Sequence, residues 1–381
     1  MMEIPFHKPY ITDDEINEVV NTIKSGWLTM GPKTVEFEEN FKEYIFRDSG
    51  VGEKNRFAIS LNSGTAALHL ALKAIGLNAG DEVILPTNTF ISTAEVVTYF
   101  GAIPVLCDIE EDTHNIDVSK IEALITKRTK AIIPVHLGGQ PCDMDEIIDI
   151  AKRNKLYVIE DAAHALPSKY KGKMIGTIGD ITCFSFYATK TLTTGEGGMA
   201  TTTNEDYAKR IKINRLHGIS RDAWDRYTLK GSWYYEVVDN GYKYNTTDIN
   251  AALGLAQLKK IDWMNERRAE VARKYTEAFK GTKVIPPVVK ADRETSWHLY
   301  VVKVNNRSEL FEKLKENGIG TSVHFIPVHK HPYYKETYGY RDENYPVANY
   351  VFEKSLSLPI YPGLTDKELS YISETVLKYA K

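Results

Sequence analysis

Cysteine is scarce in this chain: Cys107, Cys142 and Cys183 are the only ones among 381 residues. An odd number with no close pairing argues against a disulfide framework or a zinc site, and it suits a reducing cytoplasm. Long apolar runs are also missing. No stretch approaches the ~18 residues that a membrane-spanning helix requires, and Met1-Met2-Glu3-Ile4-Pro5 does not read as a signal peptide. Charge of neither sign dominates, since 48 Lys and Arg against 51 Asp and Glu leave a net −3. That balance removes the basic footprint a nucleic-acid-binding domain carries. Internal repeats and low-complexity tracts are absent as well. What remains is a chain longer than one typical domain, for which a large domain and a smaller one are expected.

The order of segments gives that expectation a shape. Thr12 and Glu15 have the spacing of a capping box, so a first helix is expected from there to Ser25-Gly26, and a second from about Lys33 to Ile45. Apolar strand candidates then recur as FAISLN, EVILP, IPVLCDI, KAIIPVH, LYVIED, ITCFSF and GMATT. Amphipathic helix patterns separate most of them, which is the signature of an α/β fold whose mostly parallel sheet is covered by helices on both faces. From Asp248 to Phe279 a proline-free helical pattern leads out of the large domain, with a break expected near Ile261. SWHLYVVKV, a helix around Leu310 to Asn317, and SVHFIP then build a smaller C-terminal α/β domain. The division expected is residues 1–250 for the N-terminal segment and large domain, and 251–381 for the linking helix and small domain. Residues 221–240 form the main irregular region.

The chemistry concentrates in the run FSFYATKTLTTGEGGM, Phe184 to Met199. Lys190 follows an apolar strand and precedes GEGG, a turn that lets backbone approach a ligand closely. An amine attacks an aldehyde only when unprotonated, so a lysine partly buried beside other positive charge suits Schiff-base formation with pyridoxal 5'-phosphate. VIEDAAHA ends a buried strand on an acid pair, which puts Asp161 at a carboxyl edge where α/β sheets bind ligands. A carboxylate there can keep a pyridine nitrogen protonated, the condition that makes this cofactor an electron sink. FAISLNSGTAALHLALKAIG reads as strand, turn and helix, and Ser63, Gly64 and Thr65 at the helix start suit a phosphate. Each piece has a plain structural reading by itself, Asp161 as a helix cap and the turn as helix-start chemistry. Phosphate cradle, acid and lysine in this order, spaced like successive βα units, point together to a cofactor site.

With these motifs assembled, the chain resembles the DegT/DnrJ/EryC1/StrS family of pyridoxal-phosphate sugar aminotransferases, which share the type I aspartate-aminotransferase fold. The likeness runs almost end to end. It is carried by SGWLTMGPKTVEFEENF, NSGTAALHLAL, DEVILPTNTFISTAE, the stretch from PVHLGGQPCDMD to VIEDAAHA, FSFYATKTLTTGEGGM, GYKYNTTDINAALGLAQL, SVHFIPVHKHPYY and LSLPIYPGLTD.

The resemblance implies roles residue by residue. Lys190 matches the Schiff-base lysine and Asp161 the acid on the pyridine nitrogen. His164 matches the residue beside the ring hydroxyl, Gly64, Thr65 and Ser185 match phosphate ligands, and Phe90 matches an aromatic over the pyridine ring. Asn245 matches a residue reaching the cofactor phosphate of a neighbouring subunit, which implies a homodimer with shared active sites. Trp27 and Thr29, in a loop with Leu28, together with His324 and His329, match the substrate side. His324, His329 and His331 are poorly spaced for zinc, and no metal is expected.

The activity so implied is transfer of the amino group of L-glutamate, through pyridoxamine 5'-phosphate, to C4 of a nucleoside-diphosphate 4-keto-6-deoxy sugar. RLHGISRDAWDRYT and WYYEVVDNGYKYN resemble the branch that acts on UDP-linked sugars. Amination at C3 of a dTDP-linked 3-keto sugar is the alternative within the class, and a pyridoxal-phosphate-binding regulatory protein the alternative outside it. No nucleic-acid or membrane partner is expected.

Overall fold

The computed structural model describes residues 2–220 and 234–381. All seven strand candidates enter one sheet: β1 (Phe57–Leu61), β2 (Glu82–Pro86), β3 (Ile103–Cys107), β4 (Thr129–Ile132), β5 (Tyr157–Asp161), β8 (Ile181–Ser185) and β9 (Gly198–Thr202). Between β5 and β8 lies a short ribbon of β6 (Lys169–Tyr170) and β7 (Lys173–Met174), which β10 (Arg293–Glu294) joins. The main sheet runs in the order β1-β9-β8-β5-β4-β2-β3. Only β9 opposes its neighbours, and every other pairing is parallel.

Period-two alternation divides the strand side chains between two cores. Leu61, Val83, Leu85, Ile159 and Cys183 fall in one, packed with helices α3 (Gly64–Ala74), α4 (Ser92–Thr98) and α7 (Glu205–Asn214). Ile84, Val158, Phe184 and Met199 fall in the other, with α2 (Pro32–Phe46), α6 (Met144–Asn154) and α8 (Asp248–Leu258). The short α5 (Val118–Ile121) contributes Ile121 to this second core.

A third core lies under β11 (Tyr300–Lys303) and β12 (Ser355–Leu358), which pair antiparallel. It gathers Val271, Tyr275 and Phe279 of α9 (Ile261–Phe279), Leu310 and Leu314 of α10 (Arg307–Glu316), and Ile372 and Val376 of α13 (Asp366–Tyr379). Ile4, from the far end of the sequence, joins it through a bridge to Ile319. In the opposite direction, α11 (Pro332–Tyr338) and α12 (Pro346–Lys354) return Tyr334, Ala348 and Val351 to the first core. SVHFIP, expected as a strand, is irregular beyond a single bridge between Ser322 and Ser357. Its prolyl residue Pro327 withholds the N–H that a sheet ladder needs.

Helix α1 (Asp13–Ser25) starts on the expected box: the Thr12 N–H and Oγ1 both donate to Glu15 Oε2, at 2.7 and 2.9 Å. Glu15 is buried and also accepts from Gln257 and Lys260, at the break between α8 and α9 that the sequence places near Ile261. A second carboxylate ties the same region together. Asp248, at the first turn of α8, accepts from the backbone N–H groups of Gly31, Lys33 and Thr34 and from Thr34 Oγ1. The Asp248 N–H donates to the Thr29 carbonyl.

Asp248→Ala leaves those buried donors unpaired at the start of α2. The expected loss is about 2–4 kcal/mol of stability, read as a lowered midpoint in urea unfolding. An unchanged midpoint would show that the carboxylate is not the staple.

Candidate active site

Chain topology brings the chemistry to one edge, because β1, β5 and β8 run parallel in effect and discharge their carboxyl ends side by side. After β1, Ser63 caps α3, its Oγ accepting from the Ala66 N–H at 3.0 Å. The N–H groups of Gly64 and Thr65 are thereby left in the first turn of an α-helix, where no intrahelical partner exists. A Cβ on Gly64 would stand 2.8 Å from Ser185 Cβ, so the helix start and the end of β8 touch only because this residue is glycine. On Gly198 a Cβ would stand 2.3 Å from the Ser63 carbonyl oxygen, which closes the same corner from β9.

These ends line a cavity of about 470 Å³. Asp161, the last residue of β5, is buried there and accepts from Thr93 Oγ1 at 2.7 Å and from the Ala163 N–H at 3.1 Å. Burial raises its carboxyl above the usual carboxylate range, against the pull of those donors and of Lys190. Its neighbour Glu160 points to the other face, held below the ordinary range against its burial by His136, Thr182 and the Gly179 N–H. Lys190 sits in the turn after β8, its N–H donating to the Tyr187 carbonyl. Burial lowers its amine to about 8, with Asp161 opposing the shift.

His164 Nδ1 accepts from the Gly138 N–H at 3.3 Å. Burial first, then Lys190 and His324, keep its imidazole well below the ordinary value, so it is neutral with the proton on Nε2. Phe90 lines the mouth, 56% exposed, with its ring 5.7 Å from that of Phe325. An aromatic left this open beside a cavity is placed to cover a flat ligand. His324 lines the cavity too, bonded through Nδ1 to Ser357 Oγ at 2.8 Å and stacked on Phe6.

Of the sequence-derived residues, Gly64, Thr65, Phe90, Asp161, His164, Ser185, Lys190 and His324 therefore meet around one space. His329 does not. It is buried between Thr87 Oγ1 at 2.7 Å and Asn349 Oδ1 at 3.0 Å, stacked on Tyr345, and its role in this chain is to tie α12 to the end of β2. Trp27 and Thr29 lie outside this cavity, as does Asn245, whose amide is engaged with Lys243 and the Thr246 carbonyl. Among the described residues no group of three His, Cys, Asp or Glu could hold a metal ion, and no helix is long and apolar enough to cross a membrane. The segment Arg221–Thr228, part of the stretch bearing on the substrate branch, lies outside the described residues.

Sequence reasoning missed several lining groups: Phe6 and His7 from the segment before α1, and His298 from the stretch just before β11. His298 stands inside SWHLYVVKV, a polar residue in an otherwise apolar strand pattern, and that was the available signal.

The residues fit pyridoxal phosphate on the structure's own terms. A desolvated carboxylate lacks a cation of its own size, a glycine-fitted helix start offers free N–H groups, and a lysine of lowered basicity faces both. Such a site on a seven-stranded, mostly parallel sheet defines a pyridoxal-phosphate-dependent transferase of the type I fold. Comparison with known proteins narrows this further. The model of the DegT/DnrJ/EryC1/StrS aminotransferase family matches residues 9–377, and the chain belongs to that family. It is 50% identical over 386 residues to the spore coat polysaccharide biosynthesis protein SpsC of Bacillus subtilis, covering 99% of this chain and 97% of SpsC. Among solved structures, Spr1654 from Streptococcus pneumoniae in its PMP form superposes with a TM-score of 0.91 at 37% identity, covering 99% of this chain and 98% of that one. Helicobacter pylori PseC, an aminotransferase involved in the biosynthesis of pseudoaminic acid, gives a TM-score of 0.90 at 29% identity, covering 99% of each chain. The chain is a transaminase of the sugar-aminotransferase kind, dependent on pyridoxal phosphate.

The lowered basicity of Lys190 sets a pH dependence. Capture of the cofactor aldehyde by apoprotein should accelerate about tenfold per unit below pH 8 and level off above it, as the neutral amine becomes the majority form near about 8. Stopped-flow absorbance at the visible band follows this. Borohydride reduction should label Lys190, and Lys190→Ala should lose both band and label. Labelling of another lysine in the wild-type protein would remove Lys190 from the role.

Proposed function

We propose that this enzyme transfers the amino group of L-glutamate to C4 of a nucleoside-diphosphate 4-keto-6-deoxy sugar, UDP-linked and N-acetylated at C2, in the making of a surface polysaccharide or related amino sugar. The observation that carries the reaction type is the pairing, across one cavity, of an amine lowered to about 8 with a buried carboxylate.

When bound, pyridoxal phosphate supplies the electron sink that both half-reactions need. The residues do the rest. Gly64 and Thr65, through their N–H groups, and Ser185, through its hydroxyl, hold the phosphate at the positive end of α3. Asp161 keeps a proton on the ring nitrogen, and the ion pair so formed returns its carboxyl toward its ordinary acidity. Neutral His164 presents its Nε2 proton to the ring hydroxyl, and Phe90 shields the ring face from water. Lys190, once free, carries the proton to and from the reacting carbon, a general acid–base step worth ~10² to 10⁴ in rate.

The substrate reading rests on the likeness of RLHGISRDAWDRYT and GYKYNTTDINAALGLAQL to the C4 branch and on His324 at the sugar side. SpsC's part in spore coat polysaccharide biosynthesis and PseC's in pseudoaminic acid biosynthesis support a polysaccharide or amino-sugar setting. Amination at C3 of a dTDP sugar is the competing specificity. A pool of nucleotide sugars and glutamate places the work in the cytoplasm.

A panel of UDP-, dTDP- and GDP-linked keto sugars with glutamate as donor tests this directly. Turnover should favour the UDP-linked 4-keto substrate, with NMR placing the new amine at C4. The base is the finer discrimination, since uracil and thymine differ by one methyl group, worth ~1–3 kcal/mol. An amine at C3, or turnover confined to dTDP or GDP sugars, refutes the specificity and leaves the transaminase intact.

The homodimer belongs to the same proposal. Trp27, Thr29 and Asn245 all lie outside the cavity of their own chain, as residues serving a neighbouring copy would. Mixing inactive Lys190→Ala with an inactive Asn245→Ala variant should restore activity through hybrid dimers. Absence of recovery where subunit exchange is proven would refute a shared site.

A further inference from the structure

The cavity holds a polar group that none of the roles above uses. His298 is 94% buried by its 6% exposure, lines the cavity, and its Nδ1 makes no hydrogen bond with the protein. Its ring packs 4.3 Å from that of His164, which fixes the plane in which its nitrogens can reach a ligand. Behind it stands a second anomaly. Arg268 of α9 is 1% exposed, and among the described residues it has no ion-pair partner. Its Nη1 donates to the carbonyls of Ile360 at 2.8 Å and Trp297 at 3.3 Å, and its Nε is unpaired. Ile360 lines the cavity and Trp297 directly precedes His298, so the guanidinium braces the stretch of wall that carries the unpaired imidazole.

A buried cation with no counter-ion is expensive, and an anion arriving nearby would offset part of that cost. The charge of Arg268 acts on both His298 and His7, two groups that line the cavity. The other ionisable groups facing this space are Lys190, His164, His324 and Tyr187, and the acids Asp161 and Glu196. Lys190 is committed to the cofactor and to proton transfer, so it cannot serve as a standing anion site.

We propose that His298, backed by the charge of Arg268, is the subsite for the α-carboxylate of the amino donor. The inference rests on the transaminase reading with an amino-acid donor. The donor carbon must come within reach of Lys190, and its α-carboxylate is one bond away, so that group must enter the enclosed part of the cavity. Two-substrate use explains the layering. The same space receives a carboxylate in one half-reaction and an uncharged sugar ring in the other. A guanidinium in direct contact would hold the first and leave an unpaired charge against the second. A neutral imidazole accepts hydrogen bonds from hydroxyls or donates to a carboxylate, and a cation one layer back favours the anion without touching the sugar. Arg268 is thus a positioning and field-setting residue, and His298 the contact.

The two half-reactions of the holoenzyme separate the roles. The pyridoxal form is titrated with glutamate and the loss of its visible band recorded; the pyridoxamine form is titrated with the keto sugar and the return of the band recorded. Glutarate, a dicarboxylate that cannot react, is bound by calorimetry as a probe independent of turnover. For His298→Asn and Arg268→Met the concentration of glutamate or glutarate at half-saturation should rise ~10-fold or more, at least several-fold beyond any change in the sugar half-reaction. Arg268→Lys, which keeps the charge, should recover part of that loss. If Arg268→Met fails to fold, His298→Asn decides. A folded His298→Asn enzyme with wild-type glutarate affinity, or with equal losses in the two halves, overturns the subsite. Glutarate binding that weakens as expected in an enzyme inert to glutamate faults the choice of donor instead.

Discussion

Two oppositely charged side chains deprived of water, Lys190 and Asp161, set the terms for everything around them. Burial makes each prefer its neutral form, lowering the amine and raising the acid. Neither is satisfied by the protein alone, and a cofactor with an aldehyde and a basic ring nitrogen answers both. The sheet exists, in this sense, to hold the two apart. Asp161 ends β5 and Lys190 sits in the turn that follows the neighbouring β8; the parallel register pairs Asp161 with Cys183, and the turn is closed by the Lys190 N–H donating to the Tyr187 carbonyl, so backbone hydrogen bonds set the spacing of the two.

The same deprivation spreads to the histidines. His7 and His324 are pushed down to about 4, by burial first and with Lys190 contributing to each, and His164 and His298 fall well below the ordinary value. The pocket is therefore rich in imidazole and poor in imidazolium. It offers many hydrogen-bonding edges without the positive charge that would compete with the cofactor's own ring nitrogen for Asp161.

Much of this was legible in the sequence, and the reason differs from part to part. The strands are short and buried on both faces, so EVILP and its counterparts stand out as apolar runs whatever their partners. Lys190, Asp161 and the Ser63-Gly64-Thr65 turn are local signals, each lying where a strand stops, and parallel topology collects such points at one edge. His329 stands outside the cavity for a local reason as well. It lies five residues after His324, but Pro327 turns the chain between them and sends it into the packing under α12. The polar break at His298 was visible in SWHLYVVKV, but the significance of His298 and Arg268 was not, because it is a missing partner that depends on segments dozens of residues apart. Asn245 is expected from family likeness to serve a neighbouring subunit, whereas nothing in a linear pattern says that Trp27 and Thr29 would also stand outside their own chain's cavity.

The Asp248 carboxylate has a consequence for inheritance. It holds Gly31, Lys33 and Thr34 from one end of the chain, while its own N–H holds Thr29 and its helix begins just beyond Asn245, after Thr246 and the N-cap Thr247. Residues 27–34 and 245–248 are thus two stretches of gene that answer to a single chemical group. A lineage cannot drift in one without the other accommodating it, and a chimera that exchanges the first stretch between relatives while keeping the second would inherit a joint cut for a different piece.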